Sequence, residues 1–319
     1  MWRSLNNMKK EVLPLVSVPV VTYNSAKTVI ETLDSIKAQT YPNIELIISD
    51  DCSTDNTVTL CREWVEQNKS RFVRTEIIAV NQNTGVAGNC NRAEVACTGE
   101  WEKGIAGDDI MLPNCIQDCM NYVREHPDVI YVFGKMDGFG HPREEVDEYM
   151  NRCFDYSFFD LSAEEQYHRL VFKGNCIPAP ALCVNREKSE ALNIKNDERI
   201  PMVEDYPKWM NITKKGIKLY GLDKTIVRYR LSENSISTTT TPSLRTRQSS
   251  ALIYIYYIFK PRYKSYKSPI KKLGEIRKYI YAANTAWGGW FWKSVITMDW
   301  CLAKFLNVFG AKLKVYDSR

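Results

Sequence analysis

The first 110 residues alternate short apolar runs with segments whose apolar residues recur at helical spacing. LVSVPVVT at 15–22, IELIIS at 44–49 and RTEIIAV at 74–80 have the length and β-branched content of buried strands. Strands that alternate with helices in this way are joined by right-handed crossovers and form a parallel sheet. The pattern therefore predicts an α/β fold.

Two further elements follow from the same pattern. Between the first two strands, Leu33 and Ile36 lie on one face of a predicted helix, for which Asn24 or Ser25 is the expected N-cap. Much later, the apolar segment GNCIPAPALCVN at 174–185 predicts a strand that returns beside the first half of the sheet.

Polar side chains cluster where three of the predicted strands end. Thr22, Tyr23 and Asn24 follow the first strand, Asp50-Asp51 the second, and Asp108-Asp109 the apolar stretch GIAG. In parallel sheets, ligands bind at the carboxyl ends of the strands. One acidic loop is usually a solvated turn, but three on one edge predict a binding site.

Two common glycine-rich phosphate-binding motifs do not follow the first strand. Neither GxGxxG nor GxxxxGK[ST] occurs there. A phosphate-containing ligand then needs another counter-charge. Carboxylates that hold Mg²⁺ or Mn²⁺ provide one, because these ions complete their coordination with substrate phosphates. Asp108 and Asp109 are the candidate ligands.

Composition adds few constraints. The 319 residues are 44% hydrophobic and 25% charged, as in ordinary globular proteins. The N-terminal residues lack the apolar core of a signal peptide, and the apolar run at 251–259 is too short to span a membrane. We therefore expect a cytoplasmic protein whose ten cysteines are reduced.

Charge is distributed unevenly. Residues 1–242 carry a net charge of −7, whereas residues 243–319 have 15 basic and 3 acidic residues, a net charge of +12. Aromatic residues such as Trp290 and Trp292 are interleaved with lysines in this tail. Such a segment can contact an anionic membrane surface, or its aromatic residues can pack on the preceding domain. An acidic body without a recognised binding module argues against nucleic acid.

Five motifs in order give the chain a specific resemblance. They are VSVPVVTYN, YPNIELIISDDCSTDNT, NQNTGVAGN, GEWEKGIAGDDIMLP and VEDYP. Together they resemble the family 2 inverting glycosyltransferases of GT-A fold, over roughly residues 14–240. The resemblance implies a Rossmann-like, mostly parallel sheet flanked by helices, followed here by a helical C-terminal extension.

The resemblance also implies roles for individual residues. Thr22, Tyr23 and Asn24 would line the nucleobase pocket, either Asp50 or Asp51 would accept a hydrogen bond from the base, and Asn83 and Gly85 would border the ribose and diphosphate. Asp108 would contact the donor and, with Asp109, the metal; Asp205, beside Glu204, would be the general base.

Three positions depart from the family pattern. Ala106 replaces the first acid of the DxD metal motif, Cys90 the arginine of an ARN stretch, and Ser232 the histidine of a YRxH segment. The loss of one carboxylate predicts weaker metal binding, and the loss of basic side chains removes an expected diphosphate contact.

We expect an inverting glycosyltransferase that moves a sugar from a nucleotide diphosphate sugar, with UDP as the expected nucleotide, onto a glycan or lipid-linked acceptor in bacterial surface polysaccharide synthesis. Residues 14–110 would bind the donor, 111–242 the acceptor, and 243–319 would form the extension. An inactive nucleotide-sugar-binding protein and a nucleotidyltransferase are the alternatives. Trp101 and Trp209 can stack on sugars or pack in the core.

Overall fold

Nine strands form one sheet in the computed structural model, which describes residues 13–200, 202–231 and 243–287. The strands are β1 (Val16–Thr22), β2 (Ile44–Asp50), β3 (Thr75–Ala79), β4 (Trp101–Glu102), β5 (Ile105–Ala106), β6 (Ile110–Met111), β7 (Tyr131–Phe139), β8 (Leu182–Asn185) and β9 (Tyr220–Arg230). Their order is β3-β2-β1-β4-β8-β7-β9-β6, and β5 also pairs with β1.

The first half of the sheet is parallel, as the sequence predicts. Strand β1 pairs in parallel with β2, β4 and β5, and β2 pairs in parallel with β3. The register places Thr22 opposite Asp50 and Val21 opposite Ala106. The polar residues that follow these strands therefore begin at one edge of the sheet.

Helices connect and flank the strands. They are α1 (Val29–Lys37), α2 (Thr57–Asn68), α3 (Val86–Ala96), α4 (Cys115–Glu125), α5 (Arg143–Cys153), α6 (Ala163–Lys173), α7 (Arg186–Ala191), α8 (Asp205–Lys214), α9 (Leu244–Ile253), α10 (Phe259–Ser265) and α11 (Pro269–Trp287). A π-helical turn, Tyr254–Ile258, joins α9 to α10.

The predicted N-cap of α1 is wrong. The helix begins at Val29 after a turn, and Thr28 precedes it without a side-chain cap. Asn24 instead adopts a left-handed conformation with φ of 52°, and its side-chain oxygen accepts a hydrogen bond from the Thr54 amide. Asparagine tolerates this backbone region because its short polar side chain can bond locally.

The predicted return strand is present in its last four residues. Strand β8 follows a 3₁₀ turn at Ala179–Ala181 and pairs antiparallel with β4 and β7. This pairing joins the two halves of the chain, so the sheet continues past residue 110 without a break. The domain boundaries at 110 and 242 remain a prediction.

The described part of the C-terminal extension packs on the body of the protein. Ile253 and Ile258 belong to the same buried cluster as Phe133 and Trp209. The Tyr257 hydroxyl donates to Asp197 at 2.7 Å. In this region and the rest of the described chain, no helix is long and apolar enough to cross a membrane. The tail aromatics at 290–305 and Ser232 lie outside the described residues.

Candidate active site

The ends of β1 and β2 are joined through Asp50. The Thr22 hydroxyl donates to one Asp50 oxygen at 2.8 Å, and the Ser53 amide donates to the other at 2.8 Å. Asp50 is 1% exposed, whereas the Tyr23 side chain next to Thr22 is 52% exposed. The edge therefore presents an aromatic ring above a buried carboxylate.

The two loops that follow β1 and β2 are hydrogen-bonded to each other. The Asn24 amide donates to the Ser53 hydroxyl at 2.8 Å, and the Ala26 amide donates to Asp55 at 3.1 Å. Burial opposes ionisation of Asp55, but the donors from Thr57 and Ala26 together outweigh it and lower the pKa of Asp55. These contacts fix the loop after β1 against the loop after β2. Ser53 and Asp55 were not among the predicted site residues, although the loop was noticeably rich in hydroxyls and acids.

Asp51 holds the start of α3 against the same edge. Its carboxylate accepts from the Thr84 amide at 3.0 Å, the Gly85 amide at 2.8 Å and Arg92 at 3.0 Å, while Asn83 donates to its backbone carbonyl. Burial alone would raise the pKa of Asp51, but these donors outweigh it and hold the pKa below its usual value. Asp51 is thus an ionised anchor, and Arg92 is a charged group that the sequence reasoning missed.

The turn before the acid pair packs closely on the end of β1. The Gly107 amide donates to the Val21 carbonyl at 3.0 Å, and the Thr28 hydroxyl donates to the Gly107 carbonyl at 2.8 Å. A Cβ at Gly107 would lie 2.8 Å from the Thr22 methyl carbon. Because glycine has no side chain, the segment that carries Asp108 can approach Thr22 at the end of β1.

The two adjacent acids have different environments. Asp108 is exposed, whereas Asp109 is 1% exposed and accepts a hydrogen bond from the Arg230 amide at 2.9 Å. Burial and then the charge of Asp108 raise the pKa of Asp109 well above its usual range. Arg230 also donates to the Asp108 carbonyl at 2.7 Å and pairs with Glu31. Only Asp108 therefore presents its carboxylate outward.

These two acids could help to bind a divalent cation that takes most of its other ligands from the phosphates of the substrate. Among the described residues, no cluster of three or more acidic, cysteine or histidine side chains could enclose a metal. Mg²⁺ is typically bound through one or two carboxylates together with substrate phosphates and water. The exposed Asp108 can supply such a ligand, with Asp109 directly beside it in the chain.

Glu204 and Asp205 lie at the start of α8, on the wall of a cavity. Asn175 donates to one Asp205 oxygen at 2.8 Å, and the Tyr206 amide donates to the other at 2.7 Å. Burial raises the pKa of Asp205 despite these donors. Burial and then the charge of Asp205 raise the pKa of Glu204 to about 7. The pair is therefore poised to exchange a proton near neutral pH.

The cavity has a volume of about 140 Å³ and lies over β1, β4 and β8. Val21 and Ile105 line it from strands that lead to Thr22 and Asp108. A second cavity of about 650 Å³ adjoins it and shares part of its wall, but Asp205 does not line it. The smaller cavity therefore lies between Asp205, the candidate general base, and the strands that lead to Thr22 and Asp108, the candidate nucleotide and metal residues.

Three charged residues of this cavity were missed from the sequence. Lys208 pairs with Glu94 at 2.7 Å, and Glu102 lies within β4 at 8% exposure. Burial and then the charge of Glu94 raise the pKa of Glu102 to about 8, although Lys208 opposes this. The signal available was Glu102-Lys103, two charged residues between the buried Trp101 and Ile105.

The tryptophans are core residues. Trp101 and Trp209 are 5% and 2% exposed, and Trp209 makes an edge-on contact with Phe133 at 5.1 Å. The Trp209 indole favours the ionised form of Asp205, yet its Nε1–H has no acceptor within hydrogen-bonding distance among the described residues. Packing thus explains both rings, while one polar atom of Trp209 stays unpaired beside the cavity.

Comparison with known proteins identifies the family to which this chain belongs. The sequence model of glycosyl transferase family 2 matches residues 17–183, more than half of the chain. The protein is a family 2 glycosyltransferase. The resemblance drawn from the five motifs is thereby confirmed, as is the expectation of an enzyme.

Two relatives of this family 2 glycosyltransferase are named as glycosyltransferases of bacteria. It is 25% identical over 224 residues to TuaG of Bacillus subtilis, named for teichuronic acid biosynthesis, with 70% of this chain and 82% of TuaG covered. It is 27% identical over 240 residues to WfaP of Escherichia coli, a UDP-Glc:α-D-GlcNAc-diphosphoundecaprenol β-1,3-glucosyltransferase, with 75% of this chain and 86% of WfaP covered.

The GT-A fold is confirmed by solved structures. S. aureus TarS in complex with UDP-GlcNAc aligns with a TM-score of 0.58 at 20% identity, covering 85% of this chain and 72% of that chain. A mannosyltransferase from Pyrobaculum calidifontis, in complex with GDP-Man and Mn²⁺, aligns with a TM-score of 0.53 at 19% identity, covering 92% of this chain and 81% of that chain. At these identities the likeness concerns the fold.

Proposed function

We propose that this glycosyltransferase moves a sugar from a UDP-sugar to an acceptor hydroxyl with inversion at the anomeric carbon. The acceptor is a glycan or lipid-linked glycan in bacterial surface polysaccharide synthesis. The printed activity of WfaP, which uses UDP-Glc and a lipid diphosphate acceptor, supports both substrate classes. The teichuronic acid role in the name of TuaG supports the same kind of pathway.

One observation carries the proposal. Strand β1, which ends at Thr22, and strand β5, which is followed by the Asp108 turn, also line the cavity on whose wall Asp205 lies. A nucleotide bound along the sheet edge would thus direct its sugar toward Asp205. Thr22, Tyr23 and Asn24 would surround the base, Asp50 or Asp51 would accept from it, and Asn83 and Gly85 would border the ribose and diphosphate.

The proposed chemistry is a single displacement. Sugar transfer proceeds through an oxocarbenium-like transition state, as in glycoside hydrolysis. Asp205 would remove the proton of the acceptor hydroxyl as that oxygen attacks, which inverts the anomeric configuration without an enzyme nucleophile. Glu204 would influence the basicity of Asp205 in this step, because the ionisation of each of the two carboxyl groups depends on the charge of the other.

A divalent cation would supply electrostatic stabilisation of the leaving diphosphate. Asp108 is the proposed direct ligand, as an exposed carboxylate at the sheet edge. Asp109 would contribute mainly by its charge, since one of its oxygens accepts from the Arg230 amide. Arg230 and Arg92 lie at the same edge and can offset diphosphate charge in place of the arginine and histidine that Cys90 and Ser232 replace.

A panel of nucleotide sugars tests the proposal. The purified protein is incubated with UDP-, GDP- and dTDP-sugars, with Mn²⁺, with Mg²⁺ or with a chelator, and free nucleoside diphosphate is measured. We expect slow UDP release from one or more UDP-sugars, faster with metal than with chelator. Release of pyrophosphate from a sugar phosphate and a nucleoside triphosphate would favour a nucleotidyltransferase. Tight UDP-sugar binding with no turnover on any acceptor would favour an inactive binding protein.

We also propose that the enzyme is cytoplasmic and contacts the inner face of the cell membrane through residues 243–319. The net charge of +12 supports this, together with exposed aromatic and aliphatic side chains at Tyr256, Ile270 and Tyr281. Part of the extension also packs on the body of the protein, since α9 and the π-helical turn contribute residues to the core. The two roles are compatible, because a helix can bury one face and expose a basic one.

A further inference from the structure

We propose that Glu102, with the Trp209 Nε1–H and the Lys208–Glu94 pair, forms a subsite that recognises hydroxyl groups of the transferred sugar and selects an uncharged sugar over a uronic acid. This inference rests on the proposed function and adds the class of sugar to it. Glu102 lies within the fourth of the five motifs, but the family resemblance gives no role to it, to Lys208 or to Glu94.

Glu102 is a buried acid without a partner. It is 8% exposed, and no hydrogen bond or ion pair reaches its carboxylate from the described residues, although Lys208 lies close enough to influence its pKa. Strand β4 pairs Glu102 with Val184, and both side chains line the cavity. A buried carboxylate costs free energy unless it is paired, so its placement here points to a polar ligand.

A second polar group faces the same space. Trp209 is 2% exposed and lines the cavity, and its Nε1–H lies near the Asp205 carboxyl without a hydrogen bond of ordinary geometry among the described residues. The described lining therefore offers a weakly engaged donor beside the carboxyl group of Glu102. A hydroxyl group satisfies both kinds of partner, because it donates one hydrogen bond and accepts others.

The cavity has room for hydroxyl groups of a sugar. Its volume of about 140 Å³ is enough for several water molecules, so the hydroxyl-bearing edge of one sugar ring can enter it. Its position also favours the transferred sugar over the acceptor, since Val21 and Ile105 continue into Thr22 and the Asp108 turn. The sugar is the part of the donor that lies next to the diphosphate.

The charge of the wall determines the selectivity. Glu94, Glu102, Glu204 and Asp205 line the cavity with one cation, Lys208, which already pairs with Glu94. A carboxylate on the sugar would find no unpaired cation in the described lining, because Lys208 already pairs with Glu94. A buried charge without a counter-charge costs free energy, so a neutral hexose is preferred.

Calorimetry with matched ligands tests the subsite. UDP, UDP-glucose and UDP-glucuronate are titrated with Mn²⁺ into the parent, Glu102→Met, Glu102→Gln and Trp209→Phe, with Glu63→Gln on exposed α2 as control. The quantity compared is the affinity gain of each UDP-sugar over UDP. In the parent, we expect a gain for UDP-glucose and none for UDP-glucuronate.

The variants separate recognition from packing. Glu102→Met removes the hydrogen-bonding groups at similar length and should reduce the UDP-glucose gain by roughly fivefold or more. Glu102→Gln keeps a donor and an acceptor and should retain most of the gain. Trp209→Phe keeps the aromatic contact and should reduce it, while all variants and the control bind UDP within about twofold of the parent.

Two results would overturn the subsite and leave the proposed function intact. The first is an unchanged UDP-glucose gain in both Glu102→Met and Trp209→Phe, with parent-like turnover. The second is a UDP-glucuronate gain equal to that of UDP-glucose. If the parent neither binds UDP nor releases it from any donor, the proposed function fails and the subsite with it.

Discussion

At the scale of single residues, neighbouring acids of the site differ because their surroundings differ. Asp108 is exposed and Asp109 is buried beneath Arg230. Burial with the nearby Asp205 charge raises the pKa of Glu204 to about 7, a value suited to proton transfer near neutral pH. Removing individual carboxylates should therefore give distinct defects.

Asp205→Asn should reduce turnover by about 10²-fold or more while leaving donor binding nearly intact, as expected for the loss of general-base assistance. Turnover by the parent should rise with pH, because burial raises the pKa of Asp205 and this carboxyl acts as a base only when ionised. Steady-state rates and UDP calorimetry check both points. A comparable loss of donor affinity would instead indicate a binding or structural role for Asp205.

Asp108→Asn should weaken metal-dependent UDP binding several-fold, because it removes the outward carboxylate. UDP binding in the presence of chelator should change little, which separates loss of the metal from disruption of the nucleotide pocket. Calorimetry with UDP, with and without Mn²⁺, measures both. Equal affinities for variant and parent in Mn²⁺ would exclude Asp108 as a ligand.

Glu102→Gln should stabilise the protein at alkaline pH. Burial raises the pKa of Glu102 from 4.5 to about 8, so the folded state keeps a proton that the unfolded chain loses above its own pKa. The free energy of unfolding of the parent therefore falls as pH rises from about 4.5 to 8, and glutamine removes this loss. The melting temperature should rise by a few degrees at pH 8.5 and little at pH 4.5; equal shifts at both would contradict the assignment.

At the scale of elements, the site depends on how closely the Asp108 turn approaches the end of β1. The Gly107 amide bonds to Val21, and hydroxyls of Thr28 and Thr32 on the α1 side bond to the Gly107 and Asp109 carbonyls. These contacts join residues about 80 positions apart in the chain. The turn is therefore positioned by tertiary hydrogen bonds and by the absence of a side chain at Gly107.

Gly107→Ala should lower stability and UDP affinity together, because the new Cβ would lie 2.8 Å from the Thr22 methyl carbon and push the turn away from β1. Gly274→Ala in α11 is the matched control, since no atom lies within 4 Å of its added Cβ. The control should gain about 0.5–1 kcal/mol from helix propensity. Thermal melts and UDP calorimetry compare the two, and parent-like UDP binding by Gly107→Ala would show that the turn tolerates the methyl group.

At the scale of the whole molecule, the C-terminal extension is tied to the loop that precedes the general base. Arg199 stacks over Tyr256 at 4.2 Å, and the Ser249 hydroxyl accepts from the Met202 amide at 3.3 Å. Deleting residues 243–319 would therefore expose apolar core and disturb the approach to Asp205. A test of membrane contact should change charge without removing helices.

Changing Lys293, Lys304, Lys312 and Lys314 to Gln should weaken co-sedimentation with anionic vesicles at low salt. Each basic residue near such a surface contributes about 1 kcal/mol, and salt screens the attraction. The parent should bind at low salt and be released as salt rises, with neutral vesicles as the control. Equal binding by parent and variant, or none by either, would leave packing as the role of the extension.

The sequence by itself determined the parallel half of the sheet, because buried strands and amphipathic helices have local periodicities that need no knowledge of contacts. It also placed Thr22, Asp50 and Asp108 at one edge, since parallel strands share the direction in which they end. The motif order was sufficient to identify the family. Each of these inferences depends on residues close together in the chain.

Only the tertiary structure decided which groups are left without partners. Whether Glu102, Lys208 and Glu94 meet depends on the pairing of β4 with β8 and on the packing of α8 beside α3. The same holds for Asn24, which bonds to Thr54 from the loop after β2 and does not cap α1. Burial and pairing are properties of residues distant in sequence, so local patterns cannot determine the charge state of a side chain or the ligand that would complete it.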